Sequence, residues 1–201
     1  MTAAKKISAI TIEEFEKLYQ NTRCEFHNGE VWSQMGPIEN TKTAQSVPDH
    51  SYLQFCIGKE LGNLFHRTGG PKGPGGWWFF DEVAVKYGQN SLFLHDLAGW
   101  KRITTPQRPR RYPITERPDW VCEILSSIDS NDLVKKRAVL HQHEVPFYWI
   151  VHPTENIITV LEWSPKGYVA ILDVVAGFEG KIPPFDNVTL KANVLFGEED
   201  N

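Results

Sequence analysis

Glu123 stands in the middle of DWVCEIL, residues 119–125, where every neighbour from Trp120 to Leu125 suits a buried strand. Strand alternation puts Val121 and Leu125 on its side and Trp120, Cys122 and Ile124 on the other, so both faces are apolar. An unpaired carboxylate in such a place loses its hydration without compensation. A cation must offset that loss: an Arg or Lys, or a metal ion shared with a second acid. Asp96, at the end of the apolar run SLFLHD, is the natural second acid, because the interval to Glu123 holds a loop and a strand returning beside the first. Two carboxylates converging from neighbouring strands suit a hard cation such as Mg²⁺, which takes one or two of them and completes its shell with water and substrate phosphate.

The lysine comes from the next element. A helix is expected over residues 131–144, with Leu133, Ala138 and Leu140 as its apolar stripe. Lys136 lies three residues after Leu133 and four before Leu140, so it projects from the packed side, whereas Lys135 faces elsewhere. Two readings stay open. The amine sits beside a metal and a scissile phosphate, or it forms a buried ion pair with Glu123 that only holds the helix down.

The other elements follow from capping, turn and alternation signals. Thr11-Ile-Glu-Glu14 is a capping box ahead of Phe15, Leu18 and Tyr19, which gives a short helix over residues 11–20. Asn28-Gly29 between two alternating runs predicts a hairpin over residues 23–35. A loop over 36–47 leads to a helix starting near Pro48, with Leu53, Ile57, Leu61, Leu64 and Phe65 as its buried stripe, and GGPKGPGG ends it. Residues 77–85 and 91–97 read as strands, and residues 146–174 as a β-meander with HPTE and SPKG turns. From there to Phe196 the pattern gives a loop and one edge strand. This order predicts an α/β fold: a mixed central sheet flanked by helices, with an N-terminal helix-hairpin and the meander towards the C-terminus. One domain is expected over residues 1–201, with its core at about 10–165 and an extension over 166–201.

Composition narrows the setting. Cys24, Cys56 and Cys122 are an odd set with no CxxC spacing, which argues against a disulfide framework or zinc knuckle. No leader-like N-terminus and no apolar run of roughly 18 residues is present, so a soluble, cytoplasmic protein without a membrane partner is expected. The net charge of −4 does not advertise nucleic-acid binding. The segment KRITTPQRPRR does so locally, because Lys101, Arg102, Arg108, Arg110 and Arg111 face no acid within it. A solvated surface loop is the alternative. Since it joins the strands of Asp96 and Glu123, the loop is expected at the rim of their site, in reach of a DNA backbone. Asp119 lies about 13 Å from Glu123 at the usual rise per residue, too far to share its cation, and reads as a cap.

EFHNGEV, WWFFDE, HDLAGW, PDWVCEILS, DLVKKR and VPFYWIVHP, in this order and spacing, resemble the Uma family of restriction endonucleases within the PD-(D/E)xK nuclease superfamily. The resemblance spans about residues 10–165 and implies a restriction-endonuclease-like fold and Mg²⁺-dependent hydrolysis of DNA phosphodiesters, with Mn²⁺ able to substitute. It maps the metal-binding acids on Asp96 and Glu123, with the Ile124 carbonyl as a further ligand, and the catalytic lysine on Lys136. The superfamily's usual lysine position, two residues after the acid, holds Leu125 here, and His95 stands where the family has proline. Glu82, His50 and Glu30 are accessory candidates for metal or phosphate contact, and Glu25 flanks the hairpin turn as Glu30 does and stands equally with it; an exposed strand end, a packing or helix-capping histidine and solvated hairpin acids are the alternatives. By the same analogy two copies pair, so that two sites reach both strands. The competing functions are a catalytically inactive nucleic-acid-binding domain of the same fold and a dimerising domain.

Overall fold

The computed structural model describes residues 10–19, 22, 24–33, 48–69, 74–125 and 130–198. The expected loop over 36–47 lies outside them. Helix α1 (Ile12–Tyr19) is opened by the expected capping box: Thr11 N–H donates to Glu14 Oε2 at 2.8 Å, and Glu14 N–H donates to Thr11 Oγ1 at 3.2 Å. It covers the hairpin of β1 (Cys24–His27) and β2 (Glu30–Ser33), whose turn holds Asn28 at φ 50° and Gly29 at φ 84°, the left-handed pair that a two-residue hairpin turn requires. Helix α2 (Pro48–Phe65) precedes the two long strands β3 (Trp77–Tyr87) and β4 (Ser91–Lys101). Then come β5 (Trp120–Ile124), helix α3 (Ser130–Gln142), and the meander β6 (Phe147–His152), β7 (Ile157–Ser164) and β8 (Gly167–Val175).

These strands form one eight-stranded mixed sheet in the order β2-β1-β4-β5-β6-β7-β8, with β3 also paired to β4. β3 occupies one edge of β4 along its length, so β1 and β5 share the other. β1 pairs with Ser91 and Leu92, and β5 with Leu97, Ala98 and Gly99. Between those two stretches the β4 edge has no partner strand among the described residues. β5 and β6 run parallel, joined through α3, and every other neighbouring pair is antiparallel.

Strand β4 runs further than the alternation pattern suggests. Asp96 lies within it rather than at its end, and the strand continues through Ala98, Gly99 and Trp100, all buried. Gly99 belongs there because a Cβ would meet the Phe79 ring at 3.0 Å and the Trp120 ring at 3.2 Å. At Glu82 and Asp96 the β3–β4 ladder skips one pair while keeping its register, and Glu82 adopts φ 44°. The alternation shifts there. Phe93 packs on the same side of the sheet as Ala98 and Trp100, whereas Leu97 packs on the opposite side.

The two faces are covered by different helices. On one, Leu53, Ile57, Leu61 and Phe65 of α2 pack on Trp120, Cys122 and Ile124; on the other, Val139 and Leu140 of α3 pack on Val121, Tyr148 and Ile150. Ala138, expected in the α3 stripe, is exposed, and Val139 holds its place, because the buried positions step 133, 136, 139 and 140. No helix among the described residues is long and apolar enough to cross a membrane.

The C-terminal segment differs most from expectation. It contains a small second sheet, β9 (Glu179–Gly180) with β10 (Leu190–Lys191), and the short helix α4 (Ala192–Leu195). Ile182, Phe185, Leu190, Ala192, Leu195 and Phe196 enter the same cluster as α2, so this segment closes one face of the sheet rather than extending from it. Phe185 is fully buried, with its ring centroid 4.9 to 5.9 Å from those of Phe65, Trp77, Phe79, Trp120 and Trp149. Phe185→Ala is therefore expected to lower the free energy of unfolding by about 3–5 kcal/mol in guanidinium titrations, and Phe185→Leu by clearly less.

Candidate active site

The unpaired stretch of β4 is filled by side chains that do the work of a strand. Leu94 N–H donates to Glu25 Oε1 at 2.9 Å, and the Leu94 carbonyl accepts from Lys136 Nζ at 3.4 Å. Across the same gap, Ile124 N–H donates to Asp96 Oδ2 at 2.7 Å, where the β4–β5 ladder has ended. Buried backbone groups need such partners. The chain meets that need with acids and an amine, and thereby concentrates charge in the fork between β1 and β5.

Glu123 sits on the α3 face with 7% exposure, and both of its oxygens are engaged: His95 Nδ1 lies 2.5 Å from Oε1 and Lys136 Nζ 3.0 Å from Oε2. Lys136, 3% exposed, also lies 2.8 Å from Glu25 Oε1. Burial pushes the Glu123 carboxyl up, but the Lys136 charge and the His95 hydrogen bond outweigh it and hold the group below the usual glutamate value. Burial, with the nearby acids adding to it, raises the Cys122 thiol well above its ordinary value, so it is an inert part of the core.

Asp96 is held from the other side. His50 Nε2, from the first turn of α2, lies 3.2 Å from Asp96 Oδ2, and Gln54, one turn on, donates to the Asp96 carbonyl at 3.0 Å. The hydrogen bond to Asp96 raises the His50 pKa against partial desolvation, with the charges of Asp96, Glu123 and Glu82 adding to it. The site thus gathers Glu25, His50, His95, Asp96, Glu123 and Lys136 from β1, α2, β4, β5 and α3.

The other expected residues lie further out. Glu82 is exposed at the skipped pair opposite Asp96, and its charge is felt at His50. Glu30 is exposed beside the hairpin turn, paired with His27, and the hairpin's buried carboxylate is Glu25 instead. The two acids share a face, but Glu25 is on β1, next to β4, whereas Glu30 is on the edge strand β2. Nothing in the local sequence around Asn28-Gly29 separates them. Gln54 and Tyr87 carry no local sequence signal that points to the site. Asp119 caps as expected, accepting from Lys101 N–H at 2.8 Å and Thr104 Oγ1 at 2.7 Å.

The basic segment is divided. Lys101 and Arg102 end β4 about 17 Å beyond Asp96 at the usual rise, and both are fixed there. Lys101 lies over the Trp77 ring at 5.4 Å, and Arg102 stacks on Trp78 at 3.5 Å and donates to the Trp77 carbonyl at 3.2 Å. Both are anchored at the start of the loop by these ring contacts. The chain then wraps the outer edge of β3, where Ile114 bridges to Val85. This brings the exposed Arg108, Arg110 and Arg111 alongside Asp81 and Glu82.

The donor chemistry suits a hard cation only in part from protein. Among the described residues no three His, Cys, Asp or Glu side chains form a ready metal cage. Two carboxylates with oxygens retaining lone pairs are nevertheless the usual protein share of a Mg²⁺ site.

No curated protein matches the chain. Its fold is similar to that of a crystal structure described as a "putative nuclease belonging to DUF820 from Anabaena variabilis ATCC 29413", with a TM-score of 0.63 and 20% identity over 94% of this chain and 98% of that one. The architecture is accordingly restriction-endonuclease-like. The family profile "Uma2: Putative restriction endonuclease" matches residues 12–184, which include Glu25, Asp96, Glu123 and Lys136, and the chain belongs to that family.

Proposed function

We propose that the chain is a Mg²⁺-dependent endonuclease that hydrolyses DNA phosphodiesters at the fork between β1 and β5. The observation that carries this reading is the buried Glu123 carboxylate, paired with Lys136 beside an Asp96 anchored on the next backbone N–H. Asp96, Glu123 and the Ile124 carbonyl would hold the ion, and Mn²⁺ would substitute. When bound, the ion supplies Lewis-acid polarisation of a phosphate and a lowered pKa for an attacking water.

The chain's own groups account for the rest. Asp96 and Glu123 are pre-set by Ile124 N–H, His50, His95 and Lys136, so little reorganisation accompanies substrate binding. Lys136 places a positive charge within hydrogen-bonding reach of Glu123, where it orients the water or balances charge developing on phosphate. His50, whose pKa is raised by its hydrogen bond to Asp96, lies at the outer side of the site. Arg108, Arg110 and Arg111 provide exposed contacts for a phosphate backbone, which position DNA without reading its sequence.

The same geometry favours a second reading on one point. Lys136 already satisfies Glu25 and Glu123 together, as a purely structural ion triad would, and this fits a domain that binds nucleic acid without cutting it.

Two measurements decide. With purified protein, plasmid and Mg²⁺ or Mn²⁺, Asp96→Asn and Glu123→Gln are expected to slow cleavage by about two to three orders of magnitude, a loss of several kcal/mol of transition-state stabilisation. Equal cleavage by wild type and variants would instead mark a contaminant, and no cleavage by wild type beside salt-dependent binding would select the second reading. Replacing Arg108, Arg110 and Arg111 together by Ala is expected to flatten the slope of log affinity against log salt by about 2 to 3, near 0.9 for each phosphate that is no longer neutralised. Glu30→Ala, by contrast, should leave both cleavage and binding unchanged.

A further inference from the structure

The residue before Asp96 is buried to 0% exposure, and neither the proposed cation nor the substrate accounts for it. His95 has a partner on each ring nitrogen. Nδ1 lies 2.5 Å from Glu123 Oε1, and Nε2 lies 2.8 Å from the Tyr87 hydroxyl. Tyr87 is itself held by ring contacts with Phe93 and His143 at 6.0 and 5.4 Å between centroids. From these contacts we infer that Tyr87 and His95 form a positioning relay that fixes the orientation of the Glu123 carboxylate for the proposed cation. The inference rests on the nuclease reading of the site and adds to it a pair of residues that touch neither metal nor substrate.

The relay's direction follows from the proton inventory. Glu123 is the acceptor at Oε1, so His95 Nδ1 carries the hydrogen. In the neutral ring Nε2 is then an acceptor, and the Tyr87 hydroxyl is the donor that reaches it. Burial raises the Tyr87 phenol well above its ordinary value, which keeps that proton in place. Of the two neutral tautomers of His95, only this one satisfies every polar atom from Tyr87 to Glu123 with one hydrogen per bond. With Lys136 on Oε2, both carboxylate oxygens are pinned, so the group cannot rotate about its terminal bond without breaking two bonds at once. Partners of this kind, one step behind a metal ligand, orient the ligand, and losing one typically weakens metal binding by about 10- to 100-fold.

Placement on β4 explains why a histidine can serve here. At the skipped pair the alternation of β4 shifts by one residue, so consecutive side chains His95 and Asp96 both reach β5, one at the Glu123 carboxylate and the other at the Ile124 N–H. A proline at position 95 would offer no side-chain donor to Glu123.

The test uses the full chain, His95→Ala, His95→Asn and Tyr87→Phe, with Mn²⁺ binding followed by water-proton relaxation and ring tautomers by ¹⁵N NMR of the metal-free protein. Asn keeps a donor near the position of Nδ1 but loses Tyr87, whereas Ala loses both bonds. The expected result is a Mn²⁺ affinity about tenfold weaker in His95→Ala, recovered to within about threefold in His95→Asn by the retained donor. Metal-free wild type should show the Nδ1–H tautomer of His95, and Tyr87→Phe should shift its Nε2 resonance. A merely structural role would weaken both His95 variants alike, because both lose Tyr87. Equal affinities for wild type and His95→Ala, or for the two His95 variants, would overturn the relay while leaving the nuclease reading intact. If His95→Ala does not fold, the Nε2–H tautomer in wild type overturns the relay by itself. Wild type that binds no Mn²⁺ would bring down the nuclease reading, and the relay with it.

Discussion

A gap in hydrogen bonding organises this molecule. β1 leaves β4 after Leu92 and β5 joins it only at Leu97, so a buried stretch of β4 edge must find partners other than a strand. Buried backbone groups left without a partner would be costly. Glu25, Asp96 and Lys136 fill the gap instead, each bonded to a backbone N–H or carbonyl. Glu123 is drawn into the same cluster through Lys136. Three carboxylates, Glu25, Asp96 and Glu123, then lie together with Lys136 and His50. Backbone N–H groups donate to Glu25 and Asp96, and Lys136 and His95 hold the two oxygens of Glu123. In this fold the proposed catalytic groups are also the ones that satisfy the backbone of the sheet.

The local twist of β3 and β4 makes the convergence possible. Had both strands kept strict alternation, His95 and Leu97 would share a face and Asp96 would point to the other side. The skipped pair shifts the pattern, at the expense of a left-handed backbone at Glu82. A non-glycine residue there carries on the order of 1 kcal/mol or more of strain. Strain of this size, stored one strand away from the buried acids, is tolerated because the rest of β3 is tightly paired along β4.

What the sequence made legible was whatever depends on neighbours in the chain. The capping box at Thr11, the Asn28-Gly29 turn, the strand around Glu123 and the inward position of Lys136 all follow from local spacing, and each stands as expected. What it hid depends on pairings between distant segments. Asp96 ends an apolar run in the sequence but not a strand: Gly99 and Trp100 continue β4, with Phe79 and Trp120 closing over Gly99 and Phe80 packing on Trp100. Glu25 and Glu30 look alike around one turn, and only the docking of β1 on β4 separates a buried acid from an exposed one. The basic run reads as one feature, although its first two residues lie on tryptophan rings and its last three line an outer edge. Phe185 could not be assigned to the core from a C-terminal segment whose apolar residues follow no single period.

The position of the lysine has a physical consequence of its own. A lysine two residues after Glu123, just past the end of β5, would occupy the place of Leu125, which packs against the cluster under α3. Supplying the amine from α3 leaves β5 fully apolar apart from its acid and ties the helix to the sheet by charge as well as by Val139 and Leu140. The helix that closes the face and the amine that neutralises the acids are then one element, so any motion that lifts α3 also strips Glu25 and Glu123 of their counter-ion. Removing one partner of a buried ion pair typically destabilises by about 3–5 kcal/mol. A penalty of that size keeps α3 seated, and with it the amine against Glu25 and Glu123.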